Sequence, residues 1–102
     1  MNVIWTKYAL EDLNNIENFI AQDDYNTAVE FVDKLIDLGD SLKDDETCHR
    51  GTPAPWIKDD SIRELYYEGY TICYEISDSD VIIHEVYNQN RIYLRFAKRR
   101  DG

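Results

Sequence analysis

The chain has 102 residues and a formal net charge of −10, with 43% hydrophobic and 31% charged residues. This length predicts one domain, residues 1–102, with one core of modest depth. No run of about 18 apolar residues is present, which argues against a membrane span. The first residues lack the basic leader and apolar block of a signal peptide. We therefore expect a cytoplasmic protein.

The charge is distributed unevenly along the chain. Residues 1–47 carry a net −9, residues 48–90 a net −5, and residues 91–102 a net +4. The first two regions should repel a phosphate backbone, whereas the C-terminal tail should attract one. The sequence leaves two interpretations of this segment open: a solvated tail or a binding site. Its basic residues are Arg91, Arg95, Lys98, Arg99 and Arg100.

The first half of the chain predicts a strand followed by two helices. Val3-Ile4-Trp5 forms a short apolar run, and Thr6 follows it at a suitable N-cap position. Two helical apolar patterns come next, separated by a polar break in which Asp24 and Asn26 are competent caps. Helices joined by so few residues should form a hairpin whose apolar face covers a sheet. The two apolar sets are Ala9, Leu10, Leu13, Ile16, Phe19 and Ile20, then Ala28, Phe31, Val32, Leu35, Ile36, Leu38 and Leu42.

Residues 43–60 show no period and contain glycine and two prolines, which predicts a loop. Cys48 and His49 are adjacent there, but no second pair has metal-ligand spacing. We therefore expect no metal and no cofactor. Two cysteines are too few for a disulfide framework. Cys48 is interpreted as a loop thiol and Cys73 as a small strand residue, although a bond between them stays open. Trp56 is interpreted as a plug over the edge of the core.

Residues 61–91 contain three runs rich in Ile, Val and Tyr, which suit a partly buried pleated surface. Glu68-Gly69 and Asp78-Ser79-Asp80 are turn signals between them. The segment predicts a three-stranded antiparallel meander with one face left open by the helices.

Alternation assigns the side chains of the last two runs to opposite faces of the meander. His84 would lie on an otherwise apolar face, in a core or edge role rather than a catalytic one. Arg63 would lie near the open face, either in an ion pair with Glu75 or Glu85 or in a functional role. The first face takes Tyr70, Ile72, Tyr74 and Ile76, and the second takes Thr71, Cys73 and Glu75. In the last run, Ile82, His84 and Val86 alternate with Val81, Ile83, Glu85 and Tyr87.

The predicted fold is α+β: an N-terminal strand, a helical hairpin and the meander, in the order β-α-α-β-β-β, with a short C-terminal tail or helix. This order and its residues resemble the RelE/ParE superfamily of type II toxin–antitoxin toxins. Arg63-Glu64-Leu65 and the spacing from Val86 to Arg91 look closer to the ParE, or plasmid-stabilisation, branch. Other residues that carry the resemblance are Trp5, Ala9, Asp12, Leu13, Ile16, residues 20–23, Ala28, Phe31, Val32, Leu35, Arg50, Gly51, Ile62 and residues 70–76.

The resemblance implies a bacterial cytoplasmic toxin that a cognate antitoxin neutralises. ParE-like members inhibit DNA gyrase by protein contact, whereas RelE-like members cleave mRNA on the ribosome. In a nuclease, Arg63, Arg91 and Tyr93 would be the catalytic residues. Glu64 and Tyr66, however, stand where the nucleases place Lys and Arg.

A ParE-like toxin is therefore the first reading, with gyrase as its possible target. The alternatives are a RelE-like endoribonuclease and a non-toxic member that only binds a partner. In the first reading, residues 91–100 contact the target or partner through their cations, and the toxin alone binds no DNA. An antitoxin would lay a helix or strand across exposed hydrophobic surface, would be less acidic than usual, or would contact mainly the basic end.

Overall fold

The computed structural model describes residues 1–44, 48–49, 51–54 and 58–88. It contains the predicted order of elements with one short strand added, so the α+β prediction is confirmed. The predicted C-terminal tail or helix and the Trp56 plug lie outside the described residues. The elements are β1 (Asn2–Trp5), α1 (Lys7–Ala21), α2 (Tyr25–Asp40), a 3-10 turn (Ser41–Lys43), β2 (Thr52–Pro53), β3 (Ile62–Tyr67), β4 (Tyr70–Ser77) and β5 (Asp80–Asn88).

Both helices begin at the predicted caps. Thr6 accepts a hydrogen bond from the backbone N–H of Ala9, and Asp24 accepts from those of Asn26 and Thr27. These side chains satisfy N–H groups that lack a partner in the first helical turn. Within the described residues, neither helix is long and apolar enough to cross a membrane.

The sheet has the strand order β1-β5-β4-β3-β2. Strands β3, β4 and β5 form the predicted antiparallel meander, and β1 adds in parallel beside β5. Glu68 and Gly69 both have positive φ, of 47° and 87°, as the tight mirror-image hairpin turns require. Asp78, with φ of 50°, begins the second turn.

The predicted loop 43–60 is wrong at Thr52–Pro53, which pairs antiparallel with Glu64 and Arg63 as β2. Two residues are too few to show an alternating pattern. Proline is compatible with this place because β2 lies at the edge of the sheet.

A β-bulge interrupts the pairing of β4 with β5. Cys73 pairs with Glu85, but the next residue, Tyr74, pairs with Ile83. His84 is thus the extra residue on β5. Side chains that follow it along the strand lie on the face opposite to the one that simple alternation predicts.

The predicted alternation of β5 is therefore wrong beyond His84. Val86 joins Val81 in the core beneath the helices, although the pattern assigned them to different faces. Glu85 and Tyr87 lie on the other face, which they share with Cys73 and Thr71.

The main core lies between the helical hairpin and one face of the sheet. Leu10 and Phe19 do not belong to it, because their side chains are 53% and 67% exposed; their assignment to the apolar stripe of α1 is wrong. Ile20 and Phe31 are half-buried against the core. Its buried members are Ala9, Leu13, Ile16, Val32, Leu35, Leu42, Cys48, Ile72, Tyr74, Val81, Ile83 and Val86.

Candidate functional site

A second, smaller cluster lies on the sheet face that points away from the helices. Its apolar members are Ala54, Ile62, Cys73 and Tyr87. Glu64, Glu75 and Glu85 lie on the same side, because Glu64 and Glu85 pair with Cys73 from its two flanking strands and Glu75 follows Cys73 by two positions. We call this surface the acidic face.

Glu64 is the most unusual group of the acidic face. Its residue is only 4% exposed. One carboxylate oxygen, Oε2, accepts a hydrogen bond of 2.6 Å from the Tyr66 hydroxyl. The other, Oε1, is buried and has no hydrogen-bond partner among the described residues. Burial without a partner is costly for a carboxylate, so this oxygen marks a place where a donor or a cation would be stabilising.

Glu85 and Tyr87 deepen the same negative region. Glu85 is fully buried and Tyr87 is 5% exposed. Burial raises the pKa of Tyr87, and the nearby charge of Glu64 raises it further. The pKa of Tyr66 is also raised, first by its hydrogen bond to Glu64. Both phenols thus stay protonated at neutral pH, and neither is activated as a base.

His84 lies at the end of this face beside the bulge. It is half-buried, and its Nε2 lies 2.8 Å from Oε1 of Glu75. Glu75, one of the two predicted ion-pair partners of Arg63, therefore pairs with His84. The predicted apolar surroundings of His84 are wrong, because the bulge places it beside Glu75; its core or edge role stays a prediction.

Arg63 does not lie near the open face, so that expectation is wrong. It alternates with Ile62 and Glu64 and shares the helix-side face with Leu65 and Tyr67, which pack against the main core. Among the described residues it forms no ion pair. Its Nη1 donates a hydrogen bond of 2.8 Å to the carbonyl oxygen of Gly51, and its buried Nε has no hydrogen-bond partner in the part of the chain that the structure describes.

The loop beside Arg63 is held by Tyr74, which the alternating pattern assigned only to one face of the meander. The Tyr74 hydroxyl donates to the carbonyl of Cys48 at 2.7 Å and accepts from the N–H of Gly51 at 3.1 Å. Gly51 fits because a Cβ there would collide with this hydroxyl and lie 2.8 Å from the carbonyl of Glu64. The sequence carries no local signal for this contact, because Tyr74 and Gly51 are 23 residues apart and meet only in the folded chain.

A second candidate surface runs along α1 and the end of β5. Strand β1 pairs with β5 only as far as Ile83. Beyond that point, the buried carboxylate of Asp12 accepts a hydrogen bond of 3.0 Å from the N–H of Val86. A cleft of about 200 Å³ opens beside this contact. It is lined by Asp12, Asn15, Ile16, Phe19, Tyr70, Val86, Tyr87 and Asn88.

The described residues contain no group of three or more His, Cys, Asp or Glu side chains placed to hold a metal ion. The Sγ atom of Cys48 and the Nδ1 atom of His49 lie 3.3 Å apart. No third His, Cys, Asp or Glu in the described part of the chain is placed to complete a metal site with them. Cys48 and Cys73 are both buried and are not joined in a disulfide. They lie in different clusters on opposite faces of the sheet.

The basic residues predicted to form the working end lie outside the described residues. They are Arg91, Arg95, Lys98, Arg99 and Arg100; Tyr93, predicted as a catalytic residue only in a nuclease, also lies outside the described residues. Strands β3, β4 and β5, which the structure describes in full, contain one Lys or Arg residue, Arg63, and it lies on the side away from the acidic face.

A chain from the solved structure described as "Chromosomal ParDE TA system from P. aeruginosa" has a similar fold, with a TM-score of 0.73 at 18% identity. The likeness covers 86% of this chain and 95% of that one. Among curated proteins, no sequence matches this chain.

The family comparison goes beyond the fold. Residues 3–93 match the family described as "ParE toxin of type II toxin-antitoxin system, parDE". Because this match spans most of the sequence, the chain belongs to the ParE toxin family of type II toxin–antitoxin systems. The predicted resemblance to the ParE branch is confirmed.

Proposed function

We propose that this ParE-family chain acts in the cytoplasm by inhibiting DNA gyrase through protein contact, without a reaction of its own. The observation that carries the proposal is the charge of the acidic face. Ribonucleases of the superfamily need cations there to stabilise the phosphate during cleavage. Here the same face carries Glu64, Glu75 and Glu85.

The two tyrosines of the face support the same conclusion. RNA cleavage requires a group that withdraws the 2′-hydroxyl proton and another that protonates the leaving oxygen. The pKa of Tyr66 and that of Tyr87 are both raised, so neither phenol is poised for proton transfer near neutral pH. A surface with this chemistry is better suited to binding than to catalysis.

The contact with gyrase is assigned to residues 91–100, as the sequence analysis predicted. This segment is the cationic part of a chain that is otherwise strongly acidic. Complementary charge speeds encounter and fixes orientation between protein partners. Arg91 is the first cation after β5 and is the residue we expect to contribute most.

The partner that we propose for neutralisation is a cognate antitoxin of the ParD type. Phe19 is 67% exposed and borders the cleft between α1 and the end of β5. An exposed aromatic ring beside a concave surface is a typical anchor point for a partner's helix or strand. The antitoxin would cover this ring and the cleft.

The test compares the purified chain in two assays. We expect it to inhibit supercoiling of relaxed plasmid by gyrase and to leave ribosome-bound mRNA intact. Arg91→Ala should weaken the inhibition by about tenfold, the scale of an interface anchor. Lys34→Ala, which removes an exposed base on α2, is the matched control and should change nothing.

Other outcomes would support the alternative functions. Cleavage of ribosome-bound mRNA that disappears in Arg91→Ala would replace the proposal with a RelE-like nuclease. Normal growth of bacteria that express the chain without an antitoxin would instead favour a non-toxic, partner-binding member.

A further inference from the structure

We propose that Met1, Cys48 and His49 form a binding site for one soft, monovalent metal ion, cuprous copper, Cu(I). The site does not depend on the cellular target or on the antitoxin. It rests on the distances between these ligating side chains, on the depth at which each lies, and on the charge that one thiolate balances.

The first observation is that two potential ligands lie beside the same thiol. Sγ of Cys48 is 3.8 Å from Sδ of Met1 and 3.3 Å from Nδ1 of His49. If the metal makes bonds as long as those of zinc, about 2.3 Å to sulfur and about 2.0 Å to nitrogen, ligands at a tetrahedral angle lie about 3.8 Å apart for two sulfurs and about 3.5 Å for sulfur and nitrogen. The observed distances are close to these values. The thiol has one proton and donates it to one acceptor at a time, whereas a metal ion bonds to all three atoms.

The chemistry of the ligands selects the metal. Thiolate and thioether sulfurs are soft ligands that favour Cu(I), and imidazole also binds copper. Zinc is bound instead by cysteine, histidine and carboxylate side chains, with four ligands in structural sites. In the described part of the chain, no third ligand of that kind joins Cys48 and His49. The thioether of Met1 therefore favours Cu(I) over zinc.

Burial and charge favour a monovalent ion. Cys48 is 0% exposed and belongs to the main core, Met1 is half-buried against that core, and His49 is exposed. When the metal binds, the thiol releases its proton to solvent, and no electron is transferred because the metal arrives as Cu(I). One thiolate and one Cu(I) are together neutral, whereas a divalent ion would leave a buried positive charge, which is costly. The exposed imidazole of His49 gives the ion a route from solvent.

The backbone holds two of the ligands in place. The N–H of Cys48 donates to the carbonyl of Asp44 at 2.9 Å, and its own carbonyl accepts from the buried Tyr74 hydroxyl at 2.7 Å. The amino group of Met1 donates to the carbonyl of Lys43 at 3.1 Å. Ligands that are fixed before binding lower the entropic cost of binding. The unbranched Met1 side chain can still adjust its sulfur onto the ion, because it has three rotatable bonds.

The site is invisible in the sequence. We expected no metal because Cys48 and His49 lack a second pair of residues with ligand spacing. Met1 and Cys48 are 47 residues apart and meet only in the folded chain.

The composition of the chain makes the binding site directly observable. The chain has one methionine, two histidines and two cysteines. We use Ag(I) in chloride-free buffer as a probe for Cu(I), because it is soft, monovalent and stable in air. One equivalent of Ag(I) should shift the NMR signal of the Met1 methyl group and the ring signals of His49. The ring signals of His84 are the internal reference and should not move.

Competition with a coloured Cu(I) chelator, without oxygen, measures the affinity. The unmodified chain should bind one Cu(I), and Cys48→Ser should lose it. His49→Ala should weaken binding at least about tenfold, since even the loss of a group that only orients a ligand costs about 10–100-fold. Cys73→Ser removes an equally buried thiol from the opposite face of the sheet. This variant and His84→Ala are the matched controls and should bind as the unmodified chain does.

Three results would overturn the proposal. The first is a Met1 methyl signal that stays in place when Ag(I) binds. The second is loss of Cu(I) in Cys73→Ser but not in Cys48→Ser, and the third is unchanged affinity in His49→Ala. Should Cys48→Ser not fold, the methyl signal of the unmodified chain and the affinity of His49→Ala decide. Zn(II) should leave the methyl signal unchanged, and an equal shift with Zn(II) would overturn the assignment to Cu(I).

Discussion

Asp12 joins the first helix to the last strand at the point where the parallel strand β1 ends. Its carboxylate accepts from the N–H of Val86, which has no β1 partner at that position. Asp12 is 7% exposed, so this hydrogen bond forms away from water. The contact fixes the position of α1 over the sheet, and with it the shape of the cleft.

Removing this carboxylate should be costly. Asp12→Ala leaves the Val86 N–H buried without its acceptor, and we expect a loss of about 1.5–3 kcal/mol in the free energy of unfolding. Asp12→Asn keeps an oxygen acceptor and should cost less. Urea denaturation measures both, with Asp33→Ala, an exposed acid on α2, as the control. Equal stability of Asp12→Ala and Asp33→Ala would contradict the role.

The buried tyrosines make stability sensitive to alkaline pH. Burial raises the pKa of Tyr74 and Tyr87 above the value near 10 that tyrosine has in an unfolded chain. Above pH 10 the unfolded chain therefore releases protons that the folded chain retains. The contribution of the two protonated tyrosines to the free energy of unfolding is complete below about pH 10 and is lost as the pH rises beyond it.

Tyr87→Phe should make this loss less steep. The variant releases one proton fewer on unfolding, which reduces the slope of the free energy of unfolding against pH by about 1.4 kcal/mol per pH unit above pH 10. Urea denaturation at several pH values between about 10 and 12 provides the measurement. Tyr25→Phe, at a tyrosine that is 68% exposed, is the control. An unchanged slope in Tyr87→Phe would show that the phenol does not titrate with unfolding.

At the scale of elements, α1 has two exposed apolar side chains with different surroundings. Phe19 borders the cleft, whereas Leu10 is nine residues away and therefore about half a turn round the helix. The two positions form a natural pair for testing antitoxin binding, since each truncation removes a comparable exposed side chain from the same helix.

We expect Phe19→Ala to weaken binding of the cognate antitoxin by about tenfold, the scale of an aromatic anchor. Leu10→Ala should have little effect, because Leu10 is not among the residues that line the cleft. Calorimetric titration of each variant with the purified antitoxin gives the comparison. Equal losses for both substitutions would place the antitoxin elsewhere on the toxin.

The sequence predicts elements well where a local signal exists. Thr6 and Asp24 lie at the helix starts because a short polar side chain there satisfies backbone N–H groups. Glu68-Gly69 predicts its turn because glycine tolerates positive φ. Strand β2 and the bulge at His84 depend on pairing with distant residues, and no local pattern reveals them.

At the scale of the whole molecule, the sequence shows how much charge each region carries but not which face receives it. Glu64 and Glu85 are ordinary acids in the sequence and become neighbours across Cys73 only when three strands pair. Arg63 shows the converse. It was expected near the open face, yet the pleat directs it to the helix side, where it donates a hydrogen bond to the carbonyl oxygen of Gly51. Whether a side chain is buried, and on which face of the sheet it lies, is determined only when the strands pair.

The single extra residue in β5 also affects how this protein is compared with its relatives. If a related toxin has an unbroken last strand, a gapless alignment of the two chains is correct up to Ile83 and displaced by one position from Glu85 onward. Arg91 would then be aligned with the residue of the relative that corresponds to Ile92. Transfer of functional residues between such relatives requires a one-residue gap at His84.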